Sequence, residues 1–183
     1  MSWFKLWAQG VDVSAVNAQL DAQPDLWNQN RYRTQDPTSP HHEVDDIWLR
    51  WRDPADLVEP DAHREPHWAV NWPAWYELPS LHLIVRNLSH AVDATAHGAI
   101  LITRTPGGGQ VKPHVDTGWS AQHFDTKLYL VLRSNPLCIN RCGDGIENFR
   151  AGDVWEYPNH IVHSVENSGT TDHVNVIICF RTR

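Results

Sequence analysis

The fold class is decided by residues 126–140, which have the sequence TKLYLVLRSNPLCIN. Residues 126–133 place a leucine at every second position, and this alternation predicts a β-strand with one apolar face. Ser134-Asn135-Pro136 predicts a turn, and residues 137–140 predict a second strand. Two short strands joined by a turn indicate antiparallel β-structure.

Further short strands are predicted on both sides of this stretch. Residues 99–104 form an apolar run that ends in the turn sequence TPGGG at residues 105–109, where glycine permits a positive φ. Later runs, each bounded by Gly, Pro, Asn or Ser, cover residues 147–150, 153–157, 163–167 and 173–180. Strands at a spacing of about 8–12 residues predict an antiparallel sandwich or barrel, and the cupin-type jelly roll is one such fold.

The N-terminal half adds supporting helices. Residues 12–21 have a capping-type start and helical apolar spacing, residues 43–51 alternate as a strand, and residues 88–96 are predicted to form a further helix. Trp68, Trp72 and Trp75 have the i, i+4, i+7 spacing of a helical stripe that packs on the sheet. Residues 53–66, with three prolines, predict an exposed connector or lid.

Two imidazoles and one carboxylate stand out as candidate metal ligands. His114 and Asp116 are two residues apart, so on a strand they would share a face at roughly 6–7 Å along the chain. Pro113 is typical of a strand start or edge, which places the pair at a rim. His163 follows His114 by 49 residues. Two His and one carboxylate are the facial triad of non-haem Fe(II) sites, which leave coordination positions open.

Other histidines compete for these roles. The chain has 12 His, so a His-x-Asp pattern also arises by chance, and a single histidine is more often structural than a ligand. His160 precedes His163 by three residues and is a weaker candidate ligand. His123 is expected in a loop.

The motifs of residues 104–180, taken in order, resemble those of the aspartyl/asparaginyl β-hydroxylase family of Fe(II)/2-oxoglutarate dioxygenases. The resemblance rests on TPGGG at 105–109, PHVD at 113–116, KLYL at 127–130, GDVW at 152–155 and HSVEN at 163–167. It implies a double-stranded β-helix, Fe(II) bound by His114, Asp116 and His163, 2-oxoglutarate as cosubstrate and O2. It also implies hydroxylation of an amino acid, either free or within a peptide or protein.

Two positions depart from the family pattern. Members usually have an arginine ten residues after the distal histidine, where it holds the far carboxylate of 2-oxoglutarate, and this chain has His173 there. A second family arginine aligns loosely with Lys127. Lysine is a point charge, and histidine is cationic only when its surroundings raise its pKa, so neither reproduces the guanidinium fork.

Strand alternation assigns the cosubstrate contacts. If the leucine face of residues 127–132 meets the helices, Lys127 and Tyr129 point into the barrel. We therefore expect Lys127 to be the main carboxylate partner, with His173 and Tyr129 assisting and Arg104 in reserve. Trp119, three residues after Asp116, is expected to line the mouth of the pocket.

Composition limits the remaining possibilities. The chain has 183 residues, which predicts one domain, 1–183, with its core at about 97–181. Its net charge of −7 disfavours nucleic-acid partners. No apolar run approaches the roughly 20 residues of a membrane span, and the N-terminus lacks the pattern of a signal peptide. Three cysteines without metal-site spacing are typical of a cytoplasmic protein with free thiols.

Two other functional classes stay open at this point. The missing arginines favour a cupin-like metal protein that does not use 2-oxoglutarate. A non-catalytic module of the same fold, binding a small molecule or peptide, is the third class. The sequence does not reveal the oligomeric state.

Overall fold

Two facing antiparallel β-sheets form the body of the protein. The computed structural model describes residues 3–57 and 65–182. In spatial order, the larger sheet contains β1 (Lys5–Ala8), β9 (Val154–Glu156), β6 (Thr126–Arg133), β11 (His173–Arg181), β4 (Ala96–Thr105), β2 (Asp45–Arg52) and β3 (Ala69–Asn71). The smaller sheet contains β5 (Gln110–His114), β10 (His163–Asn167), β7 (Cys138–Cys142) and β8 (Gly145–Glu147). This is the predicted jelly roll.

Three helices cover one side of the larger sheet: α1 (Ser14–Ala22), α2 (Pro73–Glu77) and α3 (Ser80–Ala91). A fourth helix, α4 (Trp119–His123), lies at the barrel side, where Ser120 and Ala121 line a cavity. The prediction of a helix over residues 88–96 was wrong, because Leu81, Val85 and Leu88 already give α3 its buried stripe and β4 starts at residue 96. None of the helices in the described part of the chain is long and apolar enough to cross a membrane.

The two faces of the central strands have different neighbours. Leu128, Leu130 and Leu132 of β6 are almost completely buried and belong to one aliphatic cluster with residues of α1 and α3. This confirms the prediction that the leucine face meets the helical layer. The opposite face carries Tyr129 and Val131, which pack in a second, largely aromatic cluster. One strand therefore stabilises the scaffold on one side and supplies barrel-lining groups on the other.

A glycine turn joins β4 to β5 and so crosses from one sheet to the other. Gly108 has φ +80°, a conformation that side chains other than glycine rarely adopt, as the TPGGG pattern predicts. At Gly107 a Cβ atom would lie 2.7 Å from the backbone of Thr170. Small residues at both positions let β5 start close to the end of β4.

The tryptophan-rich segment differs from its prediction. Trp72 immediately precedes α2, which starts at Pro73, so Trp68, Trp72 and Trp75 do not form one helical stripe. Trp68 is 92% exposed, whereas Trp72 is buried and donates its indole N–H to the carbonyl of Arg52. The predicted connector at residues 53–66 lies partly outside the described residues, which omit 58–64.

Truncation of the aliphatic cluster should destabilise the protein. Leu130 has no exposed surface, so Leu130→Ala should lower the free energy of unfolding by about 2–5 kcal/mol through lost burial and a residual cavity. Leu83→Ala is the matched control, because Leu83 is 54% exposed on α3 and its loss should change stability by less than about 0.5 kcal/mol. Urea unfolding measures the free energy of unfolding of both variants. Equal losses in the two variants would contradict the assignment of Leu130 to the buried cluster.

Candidate functional site

The candidate metal ligands come from two paired strands of the smaller sheet. His114 is the last residue of β5 and His163 the first of β10, and their Cα atoms are direct partners in the strand register. Asp116 lies just beyond β5, where its backbone N–H donates to the carbonyl of Asn159 at 3.0 Å. The expectation that the ligand pair opens a strand was wrong, because β5 ends at His114.

The three side chains converge on one point. The Nε2 atom of His114 lies 3.3 Å from Oδ1 of Asp116, and the Nε2 atom of His163 lies 3.8 Å from the same oxygen. Each Nδ1 lies close to a carbonyl two residues earlier, that of Lys112 at 2.8 Å and that of Ile161 at 2.9 Å. A carbonyl only accepts, so each Nδ1 carries the proton and each Nε2 keeps a lone pair facing Asp116.

This geometry fits a divalent metal. Nitrogen and oxygen ligands bind at roughly 2.0–2.2 Å, so two ligands at a right angle are about 3 Å apart. The separations of 3.3 and 3.8 Å from Asp116 are close to that value. The carbonyls that fix the tautomers are the second-shell partners typical of histidine metal ligands. The contacts of His114 and His163 with Asp116 are therefore compatible with a shared ion.

Asp116 is held ionised by its neighbours. Its Oδ2 atom accepts a hydrogen bond from Nζ of Lys127 at 2.5 Å. Burial opposes the charge, but Lys127 and the two histidines outweigh it and hold the pKa of this carboxyl well below its usual range. Burial lowers the pKa of His163 to about 4, so this imidazole is neutral at pH 7. The charged carboxylate of Asp116 and the neutral imidazole of His163 are in the protonation states that metal binding requires.

His41 is a second candidate for the third ligand. His41, His114 and Asp116 each offer a ligand atom, and these atoms lie within 4.8 Å of one another. However, both ring nitrogens of His41 lie 3.4–3.5 Å from Nη1 of Arg33, a cation. His163 has its Nε2 directed at Asp116 and its register fixed by β10, so the geometry favours His163. The weaker candidate His160 is exposed.

Two cavities meet at the ligand cluster. The inner cavity extends from the two histidines between the sheets and is lined by Arg33, His41, Thr103, Thr105, Val111, His114, Lys127, Tyr129, Tyr157, His163, Val165, Asn175 and Ile177. The outer cavity, of about 170 Å³, opens on the other side of Asp116 and is lined by Arg33, Trp48, Trp51, Ala99, Leu101, Asp116, Thr117, Ser120, Ala121, Phe124, Lys127, Asn159, Ile177 and Cys179.

The structure places Lys127 and Tyr129 at the inner cavity, whereas His173, on the same face of β11 as Asn175, does not line it. The side chain of Lys127 is 15% exposed and its ammonium lies on Asp116. The Tyr129 ring stacks on Tyr157, and burial raises the pKa of Tyr129 well above its usual value, so its hydroxyl stays protonated. His173 is fully buried, with Nδ1 2.9 Å from Oγ of Ser134 and Nε2 2.8 Å from the Asn175 amide. Because burial lowers the pKa of His173 to about 4, it is neutral and supports Asn175.

Arg104 and Trp119 lie outside both cavities. Thr103 and Thr105 face the barrel, so Arg104 points to the opposite face of β4, where it pairs with Asp45 at 2.6 Å. The structure therefore does not bring Arg104 to the site. Trp119 lines a neighbouring groove of about 590 Å³, in which its ring lies near His67 and stacks on His123. It approaches the outer cavity only through its contact with Phe124.

The sequence interpretation missed Arg33 and His41 in the segment before β2. Arg33 forms a two-point ion pair with the buried carboxylate of Asp46 and also donates to Thr103. One feature of the sequence could have indicated this ion pair. The alternation of residues 43–51 places Asp46 on the same face of the strand as Trp48. An acid that faces a barrel interior needs a cation, because a buried unpaired charge is strongly unfavourable.

Substitution should separate His163 from His41 as the third ligand. His163→Ala should weaken Co(II) or Fe(II) binding at least about 10-fold, because it removes one of three protein ligands. His41→Ala is the matched control. It should change the metal affinity by less than about threefold, which is smaller than the loss of about 10-fold or more expected when a residue that hydrogen-bonds a metal ligand is removed. Anaerobic metal titration of both variants measures this. A larger loss in the His41 variant would assign the ligand to His41.

Protonation of His173 should destabilise the fold. Its pKa is about 4 in the folded protein and about 6.5 when unfolded, so the unfolded chain binds more protons between these values. The free energy of unfolding should therefore fall as the pH decreases from 6.5 to 4, by at most about 3 kcal/mol from this residue. His173→Gln should show a shallower dependence in urea unfolding across this window. If the free energy of unfolding depended on pH equally in the wild-type protein and in His173→Gln, His173 would not be a buried, neutral imidazole.

Known proteins share this fold and sequence pattern. Residues 72–182, more than half of the chain, match the family model described as Aspartyl/Asparaginyl beta-hydroxylase. No curated protein sequence matches the chain. A 2OG-Fe(II) oxygenase family oxidoreductase from Burkholderia pseudomallei has 13% identity and a TM-score of 0.57, with 91% of this chain and 79% of that chain covered.

A second solved structure matches along the full length. The prolyl-4-hydroxylase of Pseudomonas putida has 13% identity and a TM-score of 0.53, covering 100% of this chain and 94% of its own. At this identity the two structures show a common fold, whereas the family model matches the sequence itself. The chain belongs to the aspartyl/asparaginyl beta-hydroxylase family and is a hydroxylase-type dioxygenase.

Proposed function

We propose that this protein is an Fe(II)- and 2-oxoglutarate-dependent dioxygenase that hydroxylates an amino acid, free or within a peptide or protein. The observation that carries this proposal is the convergence of two imidazole Nε2 atoms on one carboxylate oxygen, at 3.3 and 3.8 Å. In this proposal His114, Asp116 and His163 hold the iron. Three protein ligands leave positions open for a chelating cosubstrate and for O2.

Together, iron, 2-oxoglutarate and O2 supply an oxidant able to hydroxylate an unactivated C–H bond. The protein's part is to hold these groups in place and to keep water out. Lys127 supports the first task, because its hydrogen bond to Oδ2 of Asp116 leaves Oδ1 turned toward the two histidines. A carboxylate fixed through its second oxygen has little freedom to rotate away from an ion.

Lys127 is also our proposed contact to the metal-bound end of 2-oxoglutarate. An ammonium has three N–H groups, and one of them is directed at Asp116. The others can donate to a carboxylate that chelates the same ion. The charges support this assignment, because an ion of charge +2, a dianion, Asp116 and Lys127 sum to zero. A neutral total is favourable in a buried site.

The outer cavity is our proposed substrate site. Its walls combine the rings of Trp48, Trp51 and Phe124 with the polar side chain of Ser120. Within the described part of the chain, the indole N–H of Trp48 and the hydroxyl of Ser120 have no hydrogen-bond partner although both are buried. Buried polar groups are normally paired, so these two are suited to bind a ligand. Trp119 remains a proposed contact of the wider mouth.

Anaerobic titration tests the proposed function. Addition of Fe(II) and then 2-oxoglutarate to the wild-type protein should produce the visible charge-transfer band of a bidentate chelate. His114→Ala should abolish the band because it removes a metal ligand. His123→Ala is the matched control, since His123 stacks on Trp119 outside the ligand cluster, and it should keep the band.

Absence of the band in the wild-type protein would overturn the proposal. Metal binding without the band would then favour the cupin-like metal protein that does not use 2-oxoglutarate. Loss of metal binding as well would favour a non-catalytic binding module. A cytoplasmic location stays a prediction.

A further inference from the structure

Arg33 enters the barrel from the segment that precedes β2. Its Nε donates to Oδ2 of Asp46 at 2.7 Å and its Nη2 to Oδ1 at 2.8 Å, which is the bidentate fork of a strong ion pair. Nη2 also donates to the hydroxyl of Thr103 at 2.6 Å. Asp46 is itself fixed by a hydrogen bond from Thr103 at 2.9 Å. The guanidinium therefore has one rigid orientation.

The other edge of the guanidinium faces the candidate metal ligands. Within the described part of the chain, Nη1 of Arg33 makes only the long contacts of 3.4 and 3.5 Å to the His41 ring. His41 in turn packs edge-on against His114, with ring centroids 4.6 Å apart. A single imidazole ring thus separates this donor edge from a candidate metal ligand. Such a distance suits a short molecule bound at one end by the metal.

The strand register places Arg33 and Lys127 at different levels of the barrel. Thr103, which contacts Arg33, is the Cα partner of Asn175 on β11. Lys127 is the Cα partner of Cys179. Residues 175 and 179 are four apart, which is about 13 Å along a strand. Lys127 and the contact partner of Arg33 therefore lie at different levels of the sheet, and the side chains of Arg33 and Lys127 both line the two cavities.

The level of Arg33 also contains an unpartnered polar group. One end of the Asn175 amide lies 2.8 Å from Nε2 of His173, and the other end, buried, has no hydrogen-bond partner among the described residues. The two ends of an amide are interchangeable at their atomic positions, and the protonation of His173 Nε2 decides which one faces it. The neutral His173 ring donates its one N–H to the backbone carbonyl of Arg133, so Nε2 accepts from the amide N–H2 and the unpartnered end of Asn175 is its Oδ1 atom, an acceptor. The donors at this level therefore come from Arg33.

We propose that the free edge of Arg33 binds the far carboxylate of 2-oxoglutarate in place of the arginine for which this chain has His173. This inference rests on the proposed function. Of the residues that line the inner cavity, Arg33 and Lys127 are the two permanent cations. Lys127 pairs with Asp116 at the metal end, and Arg33 pairs with Asp46 through one edge of its guanidinium. The other edge of Arg33 keeps N–H donors, which supply the hydrogen bonds that the missing arginine of β11 would give.

The test compares two 2-oxo acids by anaerobic titration of the Fe(II) protein. 2-Oxopentanoate has the same carbon chain as 2-oxoglutarate, with a methyl group in place of the far carboxylate. Arg33→Lys should raise the Kd of 2-oxoglutarate at least about tenfold, because a charge-assisted hydrogen bond is lost. The same variant should leave the Kd of 2-oxopentanoate unchanged. Lysine keeps a positive charge beside Asp46, so the variant is expected to fold, which its thermal unfolding checks.

Two further variants separate Arg33 from its neighbours. Arg104→Lys is the matched control, because Arg104 forms a similar ion pair with Asp45 on the outer face of β4, and it should leave both affinities unchanged. Lys127→Met should weaken both 2-oxo acids to the same extent, since both share the metal-bound end. This pattern distinguishes the two ends of the cavity.

The outcomes that would overturn the inference are distinct from failure of the proposed function. Without a charge-transfer band in the wild-type protein, the proposed function itself fails. If the band forms and Arg33→Lys binds 2-oxoglutarate like the wild type, the role of Arg33 alone is refuted. Equal weakening of both 2-oxo acids in Arg33→Lys would assign Arg33 a structural role. A loss specific to 2-oxoglutarate in Lys127→Met, and not in Arg33→Lys, would assign the far carboxylate to Lys127.

Discussion

The carboxylate of Asp116 is the group on which the arrangement of the site depends. Oδ1 is shared by two imidazoles and Oδ2 is bound by the Lys127 ammonium. Burial alone would raise the pKa of this carboxyl, but the neighbouring cation and histidines keep it ionised. The two strands that carry His114 and His163 must also be in register for this contact to form. Strand pairing and electrostatics therefore specify the same point in the barrel.

A jelly-roll interior that contains charges has to pair them. Lys127 lies on Asp116, and Arg33 lies on Asp46, whose side chain has no exposed surface. Removing one member of either pair would leave a buried charge uncompensated, which is far less favourable than a mutated surface ion pair. The two pairs are held at different levels of the barrel, so the N–H donors that Lys127 and Arg33 do not use on these carboxylates are separated. This separation suits a ligand that has an acceptor group at each end, such as a dicarboxylate.

The aliphatic layer makes such a polar interior possible. The leucines of β6 pack against α1 and α3, while Lys127 and Tyr129, on the same strand, face the cavity. The aliphatic cluster thus lies on one face of the sheet, whereas the opposite face combines the aromatic cluster with the polar groups of the cavities. The other face is free to carry groups that would weaken an ordinary core. The glycine turn at Gly108 connects β4 to β5 and so brings the chain from the larger sheet to the smaller one, where His114 lies opposite His163.

Alternation and turn residues in the sequence predicted antiparallel β-structure of the sandwich or barrel class and the inward direction of Lys127 and Tyr129. These features repeat every two residues, so local patterns encode them. The double-stranded β-helix and the grouping of His163 with His114 and Asp116 were predicted from the family resemblance, because His163 lies on a different strand. The role of the N-terminal segment was decided only by the tertiary structure. Arg33 is 70 residues from Thr103, and no local pattern predicts that such residues meet. The neutrality of His173 likewise follows from complete burial, which depends on neighbours that only the folded chain brings together.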